Sequence, residues 1–117
     1  MTGPAQGSRV GVPWLGGTCG HCRYCASGHE NLCPEAEFTG CTRDGGYADF
    51  AVVDARFAFP LPASYDDHEA APLLCAGITT YNALRNSGAR AGDTVAVLGI
   101  GGLGHLGVQF AAKMGCR

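Results

Sequence analysis

No apolar stretch in this sequence reaches the roughly 18–20 residues needed to span a bilayer, which excludes a helical membrane span. Charge is also scarce. Eight Lys and Arg stand against ten Asp and Glu, giving a formal net charge of −2 and a charged fraction of 15%. That balance supplies no basic footprint for nucleic acid and no polybasic patch for a membrane surface. The first ten residues hold no apolar signal segment, and there is no internal repeat or low-complexity tract. Glycine and cysteine, by contrast, are plentiful, at 19 and 7 of the 117 residues. An odd cysteine count argues against a fully paired disulfide scaffold. Unpaired thiols beside a thiolate metal site fit a reducing cytoplasm.

Four of the cysteines are closely spaced. Cys19, Cys22, Cys25 and Cys33 form a C-x2-C-x2-C-x7-C run. Thiolates two residues apart on a tight loop can face one ion, and Zn²⁺ takes four such sulfurs tetrahedrally. A site filled by four sulfurs has no open position for substrate, so its role is structural. An iron–sulfur cluster also uses thiolates, and Pro34 follows Cys33, but the bacterial ferredoxin run has three residues where this chain has seven. Disulfides are the third reading. Zinc leads the three. His21 and His29 lie inside the loop and read as solvated histidines.

Along the chain, Met1–Ser8 is a poor element former. Residues 9–13 read as a short strand limited by Pro13. Residues 15–37 form the cysteine lobe. Residues 38–44 are expected to be extended, with a turn at Asp44-Gly45-Gly46. Residues 47–53 are strand-like, and residues 57–62 extended. Ser64 is a plausible helix N-cap, with Asp66, Asp67 and Glu69 in the first turns. Pro72 ends or kinks that helix. A second helix is expected over about 76–87, stopped by Gly88. Residues 94–98 are a short apolar run of the buried parallel-strand kind, and a further helix reaches Lys113 or Met114. The first 60 or so residues thus read as all-β with a metal lobe. The last 50 read as helix, strand, Gly-rich turn, helix.

That turn, Gly99-Ile100-Gly101-Gly102-Leu103-Gly104, is a G-x-G-x-x-G sequence between an apolar strand and a helix, the context that makes it a dinucleotide fingerprint. The first Gly permits a tight turn. The second lets the backbone approach a pyrophosphate, and the third lets helix and strand pack closely. The helix N-terminus then offers donors and partial positive charge. An ordinary Gly-rich turn is the plainer alternative. The acidic residue that reads the ribose falls about 20 residues beyond such a turn, past Arg117, so NAD and NADP both stay open.

Cysteine lobe and glycine turn, in this order, resemble the zinc-dependent medium-chain alcohol dehydrogenases, with the ethanol-type branch nearest and the cinnamyl-alcohol branch next. Gly7-Ser8-Arg9-Val10 resembles the family's G-D-R-V strand, with Ser8 for the usual Asp. Gly28-His29-Glu30-Asn31-Leu32-Cys33 is similar to the end of its zinc lobe, and Asp44-Gly45-Gly46-Tyr47-Ala48 to the strand after it. Ala71-Pro72-Leu73-Leu74-Cys75 through Tyr81 resembles the stretch that supplies a catalytic zinc ligand.

The resemblance implies a partial GroES-like catalytic domain over residues 1–75, then the start of a Rossmann domain over 76–117. It implies structural zinc on Cys19, Cys22, Cys25 and Cys33, and a catalytic-zinc ligand in Cys75. Thr79 falls where the family contacts the nicotinamide, and Gly99, Gly101, Gly102, Leu103 and Gly104 fall at the pyrophosphate turn. The implied activity is NAD(P)-linked interconversion of small alcohols with aldehydes or ketones, in a cytoplasmic dimer or tetramer. Cys41 and Cys116 match no functional position. The family's remaining catalytic ligands, a Cys and a His-Glu pair, precede the G-D-R-V strand and have no counterpart here, since His29-Glu30 lies inside the cysteine run. The chain is therefore expected to be an internal part of a longer dehydrogenase, inactive alone. The alternatives are a non-catalytic zinc-binding remnant and an aldehyde reductase of the cinnamyl-alcohol type.

Overall fold

The computed structural model describes residues 3–117; Met1 and Thr2, the start of the Met1–Ser8 stretch expected to be a poor element former, lie outside the described residues. The chain divides into two compact units, Met1–Asp66 and Asp67–Arg117.

The first unit is built from short antiparallel pairs. Strand β1 (Val10–Gly11) pairs with β4 (Phe59–Pro60), setting Val10 opposite Pro60 and Gly11 opposite Phe59. Pro60 has no N–H to give, which suits a short edge pair. Strand β2 (Leu15–Gly17) pairs with β3 (Glu37–Phe38), with an irregularity between Leu15 and Gly17. The cysteine lobe is strung between these two strands. It contains helix α1 (Arg23–Ala26) and a 3₁₀ turn at Glu30–Leu32. Trp14 stacks on Phe38 with ring centroids 4.3 Å apart. Arg43 donates to the Gly16 carbonyl at 2.7 Å and pairs with Glu37 at 3.4 Å, tying the next loop back onto β2. A 3₁₀ turn at Ala55–Phe57 buries Phe57 and leads into β4.

In the second unit, α2 (Asp67–Pro72) begins at the acidic residues and ends on Pro72. The Ser64 cap does not form, because the helix starts three residues later. A π-turn over Leu73–Gly77 follows. Pro72 lacks the N–H that an unbroken α ladder would need, which is the local reason for the irregularity. Helix α3 (Ile78–Asn86) then runs to Gly88, whose φ of +79° stops it as the sequence implies. Helix α4 (Gly104–Lys113) ends where expected and sets Phe110 edge-on to Tyr81 of α3, centroids 5.9 Å apart.

Two expected strands do not form. Residues 47–53 are irregular, with Tyr47, Phe50 and Val52 each more than 90% exposed. Residues 94–98 are also irregular, and Leu98 is 92% exposed. The physical reason is shared: a strand exists only as one side of a ladder, and no neighbouring strand among the described residues pairs with either segment. The second segment keeps one rung. Val95 N–H donates to the Arg117 carbonyl at 2.7 Å, and Arg117 N–H donates to the Asp93 carbonyl at 2.8 Å. One residue exchanging bonds with two alternate residues is the parallel pattern.

The buried set is small. Its apolar side chains are Cys33, Phe57 and Ala58 in the first unit and Ala70, Leu84 and Ala111 in the second, joined by Pro13 and five glycines, with no side chain wholly removed from solvent among the described residues. None of the described helices is long and apolar enough to cross a membrane.

Candidate functional site

The four clustered cysteines converge. Cys19 precedes a turn through Gly20, whose φ of +76° favours a residue without a side chain. Cys22 sits at the N-cap of α1, and Cys25 lies one turn in, so the x2 spacing puts both sulfurs on one side. Cys33 closes the set from the end of the 3₁₀ turn, its N–H bonded to the Glu30 carbonyl at 3.0 Å. Cys22 and Cys25 sulfurs are 3.5 Å apart, Cys19 and Cys33 3.6 Å, and Cys19 and Cys25 3.9 Å. Sulfurs about 2.3 Å from one tetrahedral ion stand about 3.8 Å from each other. All seven cysteines are free thiols. The donor set and its spacing therefore fit a zinc ion, and they leave no room for a substrate on that ion.

Electrostatics favour the thiolate form at one corner of this set. Backbone hydrogen bonds from His21 and then Cys22 hold the Cys19 thiol below its ordinary range. The Cys22 N–H to Cys19 sulfur distance is 3.4 Å. His21 is pushed up, first because its ring bonds to the Cys19 carbonyl and then by the charge of the Cys19 thiolate. His29, the other loop histidine, bonds to the Ser27 hydroxyl at 3.1 Å.

Sequence reasoning passed over an ion pair that supports this lobe. Arg56 engages both Asp54 oxygens, with Nη2 to Oδ2 at 2.6 Å and Nε to Oδ1 at 3.1 Å. The same Nη2 reaches the Thr18 carbonyl at 3.4 Å, next to Cys19. The Arg56 guanidinium brings the Asp54 carboxyl down to about 2. The available signal was the Asp54-Ala55-Arg56 spacing, in which the aspartate also accepts the Arg56 N–H at 2.9 Å and caps the 3₁₀ turn.

The remaining candidate residues lie in the second unit. Cys75 is exposed within the π-turn, and Thr79 is exposed one helical turn later at the start of α3. That offset puts the two on one face. Among the described residues, no His, Asp, Glu or other Cys gathers with Cys75; both groups able to hold a metal belong to the cysteine lobe.

The glycine turn runs from Gly99, at φ +87°, into α4. A Cβ on Gly104 would overlap the Gly99 carbonyl oxygen and meet Val97 at 3.5 Å, whereas Gly101 and Gly102 face open space. His105 Nδ1 lies 3.0 Å from the Gly101 carbonyl and donates to it. Beside the turn is an open apolar groove of about 570 Å³, with Thr80, Leu84, Val95, Val97 and Leu103 on its walls.

Comparison with known proteins places this geometry. The family model for the alcohol dehydrogenase GroES-like domain matches residues 1–63. An alcohol dehydrogenase of Geobacillus stearothermophilus is 51% identical over 109 residues, covering 93% of this chain and 32% of its own length. A cinnamyl alcohol dehydrogenase of Sorghum bicolor superposes with a TM-score of 0.90 at 37% identity, covering 99% of this chain and 36% of that one. The cobalt- and zinc-bound thermostable alcohol dehydrogenase of Pyrobaculum aerophilum gives 0.86 at 35% identity, covering 99% and 35%. The chain belongs to the zinc-dependent medium-chain alcohol dehydrogenase family and carries its GroES-like domain. It spans about a third of the length of the relatives it matches.

Proposed function

We propose that the chain is part of a zinc-dependent, NAD(P)-linked alcohol dehydrogenase that interconverts small alcohols with aldehydes or ketones. The observation that carries this reading is a four-thiolate cluster of zinc geometry followed, in one chain, by a glycine turn opening a helix.

In this reading residues 1–75 are the partial GroES-like catalytic domain, and residues 76–117 begin a Rossmann domain. The parallel-type bonds between Arg117 and the 93–95 segment support the second assignment. Cys19, Cys22, Cys25 and Cys33 hold structural zinc and fix the lobe between β2 and β3. Cys75 gives a thiolate to the catalytic zinc, with the further ligands coming from outside the described residues. Thr79 positions the nicotinamide end of the cofactor. Gly99, Gly101, Gly102, Leu103 and Gly104 present backbone to its pyrophosphate, with the amino end of α4 behind them. Bound beside Cys75, zinc would supply Lewis acidity toward an alcohol oxygen, and a nicotinamide placed by Thr79 would supply a hydride acceptor. The full-length protein is a cytoplasmic dimer or tetramer. The chain's structural likeness to a cinnamyl alcohol dehydrogenase favours aldehyde reduction of the cinnamyl type as the second reading.

The test is an assay of the full-length gene product with ethanol and cinnamyl alcohol, each with NAD and NADP. Cys75→Ala is expected to abolish turnover and lower the zinc content by one ion per chain, leaving the ion of the cysteine lobe. Turnover by Cys75→Ala at the parent rate would refute the catalytic assignment.

A further inference from the structure

The exposed rim of the cysteine lobe holds a second group of metal-ligand atoms. One such atom each from Cys19, His21 and Glu35 lies within 4.8 Å of the other two. Cys19 is half-buried, and His21 and Glu35 are exposed, whereas Cys33, at the inner end of the quartet, is 6% exposed. The two groups therefore share one sulfur and differ in depth.

The histidine has one ring nitrogen engaged by the backbone and one left over. Its Nδ1 lies 3.0 Å from the Cys19 carbonyl. A carbonyl only accepts, so Nδ1 carries the proton and Nε2 of the neutral ring keeps its lone pair. Metal-binding histidines are commonly fixed in this way, one nitrogen donating to a backbone carbonyl and the other left for the ion. Glu35 is brought round by the turn after Cys33, closed by the Ala36 N–H to the Cys33 carbonyl at 3.1 Å. Arg56, a cation against the same Gly20 turn, is held in its pair with Asp54, which offsets its repulsion of a divalent ion.

We propose that Cys19, His21 and Glu35 form a capture site for Zn²⁺, from which the ion passes inward to the four cysteines while Cys19 holds it throughout. This rests on the zinc reading of the quartet. Zinc accepts nitrogen, oxygen and sulfur together, with water completing the shell. The transfer exchanges one imidazole, one carboxylate and bound water for three thiolates. The Cys22, Cys25 and Cys33 thiols give their protons to solvent, zinc stays Zn²⁺, and no bond of the chain breaks. Softer thiolate donors then favour the inner position. An anionic carboxylate at the rim also raises the local concentration of the cation, which acts on capture rate.

The experiment mixes the reduced, metal-free 117-residue chain with Zn²⁺ in stopped flow, and separately measures release to a chelator and the equilibrium Kd. His21→Ala/Glu35→Gln is expected to slow uptake about tenfold, within the range by which charged sites alter on-rates. It should slow release by a similar factor and leave Kd within about twofold, because a capture site changes the path and not the end state. A second variant, Cys22→Ser/Cys25→Ser/Cys33→Ser, keeps only the rim site. It is expected to bind Co²⁺ weakly with a thiolate charge-transfer band that the added His21→Ala removes. Unchanged uptake by the double variant would overturn the capture site. So would a weakened Kd at unchanged uptake, which marks a purely supporting role, or a triple-Ser chain that binds Co²⁺ no better than the same chain with Cys19→Ser added. Failure of the parent chain to bind one Zn²⁺ would instead remove the zinc reading itself, and the two failures are thereby told apart.

Discussion

Replacing Cys33 by Ser removes the one buried ligand of the quartet. Cys33 is 6% exposed, and its sulfur lies 3.6 Å from that of Cys19. Structural zinc in small peptides binds with about 10–16 kcal/mol of apparent free energy near neutral pH. Shared over four equivalent thiolates, one ligand accounts for about 2.5–4 kcal/mol, or roughly 70- to 900-fold in affinity. A serine hydroxyl does not replace a thiolate as a zinc ligand, so little of this is recovered. The assay is competition for Zn²⁺ against a colorimetric chelator, with metal content measured after dialysis. Trp14 fluorescence serves as the fold reporter, because Trp14 stacks on Phe38 at the end of β3. Cys33→Ser is expected to lose the ion at chelator concentrations that leave the parent loaded. Cys41→Ser, at an exposed thiol outside the cluster, is expected to match the parent. Zinc retention by Cys33→Ser within about tenfold of the parent, or equal loss in Cys41→Ser, would refute the four-sulfur assignment.

Gly104→Ala should destabilise the second unit by about 1–3 kcal/mol, since a Cβ there overlaps backbone; urea unfolding of the isolated variant checks it. Gly101→Ala, which meets nothing in the folded chain, is expected to leave the unfolding midpoint unchanged and to weaken NAD(P)H binding by the full-length protein in a fluorescence titration. Asp54 has a folded-state value of about 2 against an ordinary 3.8. Its contribution is therefore fully present above about 4 and is lost as pH falls through about 2. Asp54→Asn should flatten the acid dependence of the Trp14 signal in that window, and an unchanged acid transition would count against the Arg56 pair.

Much of the chemistry was legible because it is local. Three of the four clustered cysteines fall within seven residues, and a thiolate loop needs no distant partner to take shape. The Gly88 stop and the extent of α4 follow from backbone preference and periodicity for the same reason. The segments 47–53 and 94–98 misled because an apolar pattern measures fitness for a sheet, while a ladder also needs a neighbour. Pro72 gave warning of an irregular helix, but not that the break would be a π-turn holding Cys75. His21 was read as a solvated loop histidine, because Glu35 stands 14 positions away and only the turn after Cys33 brings the two near each other. Arg56 was missed for a like reason, since its contact with Thr18 spans 38 positions.

The absence of any buried residue in α1 or in the Glu30–Leu32 turn has a consequence for how this lobe tolerates change. Between Cys25 and Cys33 no position is committed to packing, and an ion that clamps both ends of the segment holds its take-off points fixed whatever lies between. That stretch is a ready display loop. Foreign peptides inserted after Gly28, where φ is +75° and a side chain would meet open space, should leave the metal clamp intact and be carried on a surface of the host without a scaffold of their own.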